Sequence, residues 1–532
     1  MRARTAARAP VAPPHWVLAL LGGGVSGLAL AASFPSLGWG WLAWFALVPL
    51  FIVVARATSL WRALWPGYVA GAVFFGVSCP WIETTVRNYG ALTAVTASLV
   101  FVMFLILMGS YLALFALAAY WIGSRTGHRL LPLPLVWIAV ELFRTYTPMG
   151  GFPWNLLGDS QASHAGFMSL TTLTGVYGAS LVIAVVNTLA ALLLLKLVRW
   201  QACPTRWDAL AGVALGLLLV WGGWQYHPAS PATLPLTARL VQPDTPLDAT
   251  WTAASLQQFL NRQLELSAPA GSAAASTPAP ALIIWPEQPA PLGFALQTSF
   301  QAMAAELSTR THAAFLFGEV TYPSTALGAP DFSKPRNSAL LIHADGTVGL
   351  RYDKIHLVPF GEYVPLPDWF TRMAGVSKLV QGVGDFIPGR APVLFSLGGR
   401  AFSTLICYES IFPQLARLEV LQGAQFLVNQ SDDSWYGRSS AAAQGLQMAR
   451  VRAIENRRWL LRDTNSGFTA VIDPYGRLSA SLPPFQAAAL TTGFAPRTQL
   501  TFYTRHGDWL AWGCCLVAAL LALVGLVRRR HV

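Results

Sequence analysis

Eight apolar stretches limit what this chain can fold into. A run of about 20 apolar residues spans the hydrocarbon of a bilayer, and inside lipid its backbone can be satisfied only by its own helix. The stretches fall at about 15 to 34, 38 to 57, 62 to 82, 91 to 121, 131 to 146, 167 to 195, 208 to 226 and 508 to 527. The fifth is short and carries Glu141 and Arg144, whereas the fourth and sixth are long enough to tilt. Composition agrees, since 54% of the residues are hydrophobic and only 11% are charged, far from the soluble norm. At 532 residues the chain also exceeds one core. The first stretch follows Arg2, Arg4 and Arg8 as a secretory leader would, but the spans that follow at once predict a retained anchor.

A formal charge of +12 suggests nucleic acid only if the basic residues gather on one folded face. Here they are dispersed between apolar segments, so no nucleic-acid partner is expected. Alternate connections carry Arg56 with Arg62, then Arg125 with Arg129, then Lys196, Arg199 and Arg206, and Arg528 to Arg530 follow the last stretch. The intervening connections carry Glu83 with Arg87, then Asp159, and the first has no charge. The positive-inside rule then predicts cytoplasmic N- and C-termini, seven crossings, a large outer segment and one crossing back. Trp221, Trp224 and Tyr226 before that segment, with Trp509 and Trp512 after it, suit an aromatic belt at the outer interface.

The predicted organisation is a membrane domain over 1–228, an outer domain over 234–496 and a last span at 508–527. In the outer domain, Ala238 to Gln242, Ala281 to Trp285, Ala313 to Phe317, Ala339 to Ile342, Phe402 to Ile406 and Gln425 to Val428 read as strands. Amphipathic helices at 253 to 266, 297 to 310 and 440 to 456 alternate with some of them, and 267 to 280 reads as a solvated loop. That pattern predicts an α/β layered fold with functional residues at strand ends.

Three strand ends present reactive side chains. Cys407 closes the Phe402 to Ile406 strand, Glu287 follows Ile283-Ile-Trp-Pro, and Lys354 lies in Arg351-Tyr-Asp-Lys-Ile-His. A thiol needs a base, and a nearby ammonium both favours the thiolate and faces the oxyanion of an attacked carbonyl. The three together form a complete acyl-transfer set. His356 permits a rival Cys–His dyad. Five cysteines without C-x-x-C spacing predict neither a disulfide framework nor structural zinc, and neither metal nor diffusible cofactor is expected.

Trp-Pro-Glu287, Tyr352-Asp-Lys-Ile-His-Leu-Val-Pro-Phe-Gly-Glu-Tyr-Val-Pro365 and Ile406-Cys-Tyr-Glu409 resemble the Glu-Lys-Cys signature of the nitrilase superfamily. With seven preceding spans and one following, and with Glu141-Leu-Phe-Arg144 and Gly151-Phe-Pro-Trp154, the whole chain resembles the apolipoprotein N-acyltransferase family. The resemblance implies about eight transmembrane helices and an extracytoplasmic nitrilase-like α-β-β-α sandwich in a bacterial inner membrane. It implies Glu287 as general base, Lys354 as oxyanion cation and Cys407 as nucleophile, with His356 part of the scaffold. Glu362, Tyr408 and Glu409 match supporting positions, Tyr408 through its backbone N–H, and Trp251 and Asn337 match positions near the lipid cavity.

The implied reaction moves a fatty acyl chain from the sn-1 ester of a phospholipid to Cys407. The chain then passes to the α-amine of a diacylglyceryl-cysteine at an apolipoprotein N-terminus. Trp435 and Tyr436, in Ser434-Trp-Tyr-Gly437, and the stretch 369 to 380 are candidates for an acyl-facing lid. Two departures from the family pattern stand out: Ser431-Asp432-Asp433 replaces Ser-Asn-Asp, and Gln242-Pro-Asp-Thr-Pro246 replaces Gln-Gly-Asn-Ile-Pro. A membrane-tethered amidase using the same residues, and a transporter with an outer receptor domain, are the alternatives. A transporter would need ionisable residues paired deep in several spans, and Glu141 with Arg144 is all the sequence offers.

Overall fold

Short strands with apolar residues on both faces have to be covered on both sides, and the chain meets that demand with two sheets and two helix layers. The structure, a computed structural model, describes residues 16–90, 93–197, 234–268, 279–288, 290–291, 293–325, 329–364 and 386–528. Its strands are β1 (Leu236–Gln242), β2 (Leu282–Ile284), β3 (Ala314–Thr321), β4 (Arg336–Ile342), β5 (Val348–Asp353) and β6 (Phe395–Leu397). The remaining six are β7 (Arg400–Ile406), β8 (Phe426–Ser431), β9 (Leu460–Thr464), β10 (Ala470–Ile472), β11 (Leu478–Ser481) and β12 (Ala488–Phe494). One sheet runs β12-β1-β2-β3-β4-β5 and the other β11-β10-β9-β8-β7-β6, with β1-β2-β3 and β7-β8-β9 parallel.

Period-two alternation assigns each residue its layer. Leu282, Ile284, Leu316 and Leu341 meet Phe402, Ile406, Phe426 and Val428 between the sheets. Their neighbours Ile283, Trp285, Phe315 and Phe317 face Leu260, Phe300 and Leu307 of the Ala253–Ser267 and Thr298–Thr311 helices. On the far side, Leu405, Leu427 and Leu460 pack under the Pro413–Gln422 and Ala441–Asn456 helices. The layering is the α-β-β-α sandwich that the motifs implied.

The apolar half differs from eight regular spans. Among the described residues, three helices are long and apolar enough to cross a membrane, Ala94–Thr126, Val176–Leu197 and Trp509–Val527. A fourth is possible if Leu60–Ser78 and Trp81–Tyr89, bent by 56° at Pro80, count as one. The stretch at 38 to 57 breaks into Gly40–Leu42, Ala43–Ala46 and Val48–Arg56. The stretch at 131 to 146 forms a 15-residue helix that buries Glu141 and Arg144. The stretch at 167 to 195 divides at Gly175, which has φ +66°, so only Val176–Leu197 remains long. Residues 208 to 226 lie outside the described residues. Large apolar side chains remain uncovered, among them Leu99, Met103 and Ile106 on one long helix and Leu516, Leu520 and Leu523 on the last. Lipid is the solvent in which such faces cost nothing.

The sandwich sits directly on this helical half. Tyr408, Ile411, Phe412, Met448 and Ile454 join the apolar cluster of the helices. Gln444 donates to the Ser78 carbonyl at 2.9 Å and accepts from Trp154 Nε1 at 2.6 Å, and Glu455 accepts the Val176 N–H at 2.7 Å.

Candidate active site

Glu287, Lys354 and Cys407 each lie just beyond a strand end. Trp285 continues the β2 ladder by donating to Leu316 O at 2.9 Å, and Pro286, with no N–H to donate, ends it. Gly318 of β3 lets this turn approach, because a Cβ there would lie 2.8 Å from Pro286 O and 2.9 Å from Glu287 Cα. Lys354 follows β5 and is held by its own N–H on Asn337 O at 2.8 Å. Cys407 follows β7 with φ +52°, a left-handed conformation that costs a non-glycine residue energy and turns the chain sharply.

The polar groups converge on Lys354, which is 1% exposed. Its Nζ lies 3.3 Å from Glu287 Oε1 and 3.0 Å from Glu362 Oε1. Asn337 Nδ2 bridges the same two oxygens, at 2.7 and 2.8 Å. The second oxygens are held by backbone donors: Glu287 Oε2 by Asp432 N–H at 3.0 Å, and Glu362 Oε2 by Val358 N–H at 2.8 Å. Burial alone would lower the Lys354 pKa, but Glu287 and Glu362 outweigh it and hold the ammonium charged. Burial and the Glu287 charge push the Cys407 thiol up, and Lys354 opposes them.

Glu409 ties two of these strand ends together. Its carboxylate, fully buried, accepts from Tyr352 OH at 2.8 and 2.9 Å, Ile355 N–H at 2.7 Å, His356 N–H at 2.9 Å and Ile406 N–H at 2.7 Å. Burial pushes its carboxyl up to about 7 against those donors and Lys354, which favour the charged form. Glu409→Ala would strand four donors, of which Tyr352 OH and Ile406 N–H are fully buried and cost about 1–3 kcal/mol each. A loss of several kcal/mol in thermal or denaturant unfolding is therefore expected, together with loss of the Lys354–Cys407 register.

His356 is turned to packing. Its ring centroid lies 3.8 Å from that of Phe412, and burial and Lys354 lower its pKa to about 4. Tyr408 OH reaches Gly151 O at 3.2 Å, which seats the thiol turn on the helical half. Trp435 packs on Tyr89 at 5.1 Å and Tyr436 on Trp81 at 4.9 Å, while Thr85 Oγ1 donates to Trp435 O at 2.8 Å. These residues are therefore docked against the Trp81–Tyr89 helix. Trp251 stands apart from the polar cluster, edge-on to Phe259 at 5.4 Å beneath the helix layer of the first sheet. Residues 369 to 380 lie outside the described residues.

At the departure Asp432, the carboxyl accepts from Ser434 N–H at 3.0 Å and Asn465 Nδ2 at 3.1 Å, and the contact to Glu287 runs through the backbone N–H. Sequence reasoning missed several groups that hold this frame. Gln430 Nε2 donates to Trp285 O at 2.7 Å across the sheets, and Arg462 grips both oxygens of Asp433 at 2.9 and 2.8 Å. The polar Asn429-Gln430-Ser431 end of β8, all buried, was the available signal.

The sandwich and its strand-end cluster define a nitrilase-superfamily domain joined to an apolar helical half. Residues 237–496 match the family model described as Carbon-nitrogen hydrolase, and residues 26–189 match the Apolipoprotein N-acyltransferase N-terminal domain. A crystal structure of an amidase from Nesterenkonia sp. aligns with 18% identity and a TM-score of 0.37, covering 53% of this chain and 98% of that one. Similar curated proteins include the apolipoprotein N-acyltransferases of Geobacter metallireducens and Pseudomonas aeruginosa. The first is 34% identical over 525 residues (95% of each chain), the second 31% over 536 (97% of each). The chain belongs to the apolipoprotein N-acyltransferase family.

Proposed function

We propose that this protein is an N-acyltransferase that moves a fatty acyl chain from phospholipid to the N-terminal amine of a diacylglyceryl-modified apolipoprotein, through a thioester on Cys407. The observation that carries the reading is the position of Cys407. It packs against both the core between the sheets and the apolar cluster of the helices, beside the Glu287–Lys354–Glu362 cluster.

In the first half-reaction Glu287 takes the thiol proton as Sγ attacks the sn-1 ester carbonyl. The oxyanion is faced by the Lys354 ammonium and the Tyr408 N–H. Collapse breaks the acyl C–O bond, the glyceryl oxygen takes the proton from Glu287, and a lysophospholipid leaves. In the second half-reaction the lipoprotein amine attacks the thioester, Glu287 receives its proton, and Sγ departs and is reprotonated. Glu362 and Asn337 fix the carboxylate and the ammonium, Glu409 fixes the thiol turn, and Trp435 and Tyr436 wall the approach from the helices. The catalytic domain lies outside the inner membrane, between cytoplasmic termini. Tethering at both ends keeps the site on the leaflet that holds both substrates.

The test is incubation of the purified protein with phosphatidylethanolamine and then a diacylglyceryl peptide. Lysophospholipid and N-acylated peptide in equal amounts are expected. Ammonia released from a soluble amide with no lipid consumed would select the amidase instead. Because burial and Glu287 keep the resting thiol protonated, iodoacetamide alkylation of Cys407 should rise steadily from pH 6 to 9. A plateau reached below pH 7 would mean a standing thiolate.

A further inference from the structure

We infer that Arg462 is a positioning residue that sets the thiol against its base, because the two arms of its guanidinium hold the turns that carry Cys407 and Glu287. The inference rests on the acyl-transfer reading of those two residues. Arg462 lies on β9 and is 2% exposed. Its Nη1 donates to Asn429 Oδ1, and its Nη2 donates to both oxygens of Asp433 at 2.9 and 2.8 Å. The first arm leads to the nucleophile. Asn429 Nδ2 donates to Leu405 O at 2.9 Å and reaches Cys407 O at 3.5 Å. Those carbonyls stand on either side of Ile406, the last residue of β7, so Asn429 fixes the direction in which the strand delivers the thiol.

The second arm leads to the base. Asp433 opens the Asp433–Tyr436 turn, and the residue before it, Asp432, holds Glu287 Oε2 through its N–H at 3.0 Å. The Asp433 carboxylate has little room to move. Ser431 Oγ donates to its Oδ1 at 2.7 Å, and Gly467 closes on its other side, where a Cβ would lie 2.6 Å from Asp433 Cγ. A displaced guanidinium would therefore draw the whole turn, and the Asp432 N–H with it, away from Glu287.

Charge alone does not explain an arginine here, since a lysine would also neutralise Asp433. The guanidinium differs in presenting its donors as a rigid planar fork, whereas a lysine offers one nitrogen where two now stand. A lysine at 462 can keep the ion pair but cannot also hold Asn429. Arg462 and Asn429, at 2 and 0% exposure, offer no surface to a substrate. Loss of the fork is thus expected to slow the chemical step and to leave lipid binding as it is.

The test is the rate at which the full-length protein in detergent forms a fatty-acyl adduct on Cys407, followed by intact mass over a series of phosphatidylethanolamine concentrations. At saturating lipid, Arg462→Lys should form the adduct about 10- to 100-fold more slowly, the scale on which small misplacements of reacting groups act. Half-saturation should come at the wild-type lipid concentration, and the melting temperature should hold. Should Arg462→Lys melt early, the double variant Arg462→Gln, Asp433→Asn removes both buried charges together, which spares the cost of leaving one unpaired. Its melting temperature should return towards the wild-type value while adduct formation stays slow. An adduct rate that returns with stability in the double variant means that Arg462 only neutralises Asp433, and overturns the inference. An unchanged rate in Arg462→Lys, or a slowing that more lipid abolishes, overturns it equally. A wild-type protein that forms no adduct at all instead removes the acyl-transfer reading on which the inference stands.

Discussion

Cys407→Ala is expected to abolish the fatty-acyl adduct that intact-mass analysis should find on the wild-type protein after incubation with phospholipid. Turnover should fall by about 10⁶-fold, the scale on which a covalent nucleophile contributes. Cys407→Ser should leave at most a trace, because Glu287 would have to deprotonate a hydroxyl far weaker in acidity than a thiol. Neither variant should unfold the protein. The left-handed turn is held by Glu409, with Ser410 Oγ on the Cys407 carbonyl at 3.0 Å, and neither contact uses the sulfur. Full turnover by either variant, with the wild type carrying no adduct, would eliminate the covalent scheme. Inactivity of His356→Ala alongside an active Lys354 variant would favour a Cys–His dyad instead.

Much of the sandwich was legible because its central strands are apolar on both faces. Ile283 and Ile284, Phe315 and Leu316, and Leu340 and Leu341 each supply one residue to the inner core and one to the outer, so they read as continuous apolar runs. The strand that delivers Lys354 was legible only at its end, where the Arg351 to His356 motif marks the lysine, and not in its extent. β5 is an edge strand with mostly exposed residues, and only Tyr352 of Val348–Asp353 is buried. The chain there looks like a polar loop. β9 was hidden for the opposite reason: Arg462, Asp463 and Thr464 are polar yet buried, and what satisfies Arg462 comes from β8 and the turn after it, far away in sequence.

The helical half exposes a different limit. Apolar runs show which residues avoid water but not where a helix stops, so the runs at 38 to 57 and 167 to 195 read as single spans. The break at Gly175 presents the Val176 N–H to Glu455 of the sandwich at 2.7 Å, and the break near Gly40 presents the Gly40 carbonyl to Gln161 Nε2 at 2.7 Å. The polar 3-10 turn at Leu157–Gln161 and the segment around Gly151 fold back beneath the sandwich, where Arg144 Nη1 holds Phe152 O and Trp154 O at 2.7 and 2.8 Å. Glu141 accepts the Leu157 N–H at 2.7 Å. The two charges that made the fifth stretch look insecure are thus the anchors of the platform that receives Tyr408 and Gln444.

Lys354→Met should be nearly as damaging as loss of the thiol, for two separable reasons. Methionine matches the length of the stem but leaves Glu287 and Glu362 without the cation now 3.3 and 3.0 Å away. Only Asn337 Nδ2 would then stand between two buried carboxylates, and breaking such a pairing costs about 3–5 kcal/mol. One of the acids is expected to take up a proton; if it is Glu287, the base is lost as well as the oxyanion cation. Adduct formation should slow by about 10³-fold or more, with a lowered melting temperature. Adding Glu362→Gln to Lys354→Met removes the surplus negative charge and should restore most of the melting temperature. If acyl transfer stays absent in that double variant, Lys354 acts on the developing oxyanion. If transfer returns with stability, Lys354 only balances the charge of its neighbours, and the oxyanion must be held by backbone donors alone.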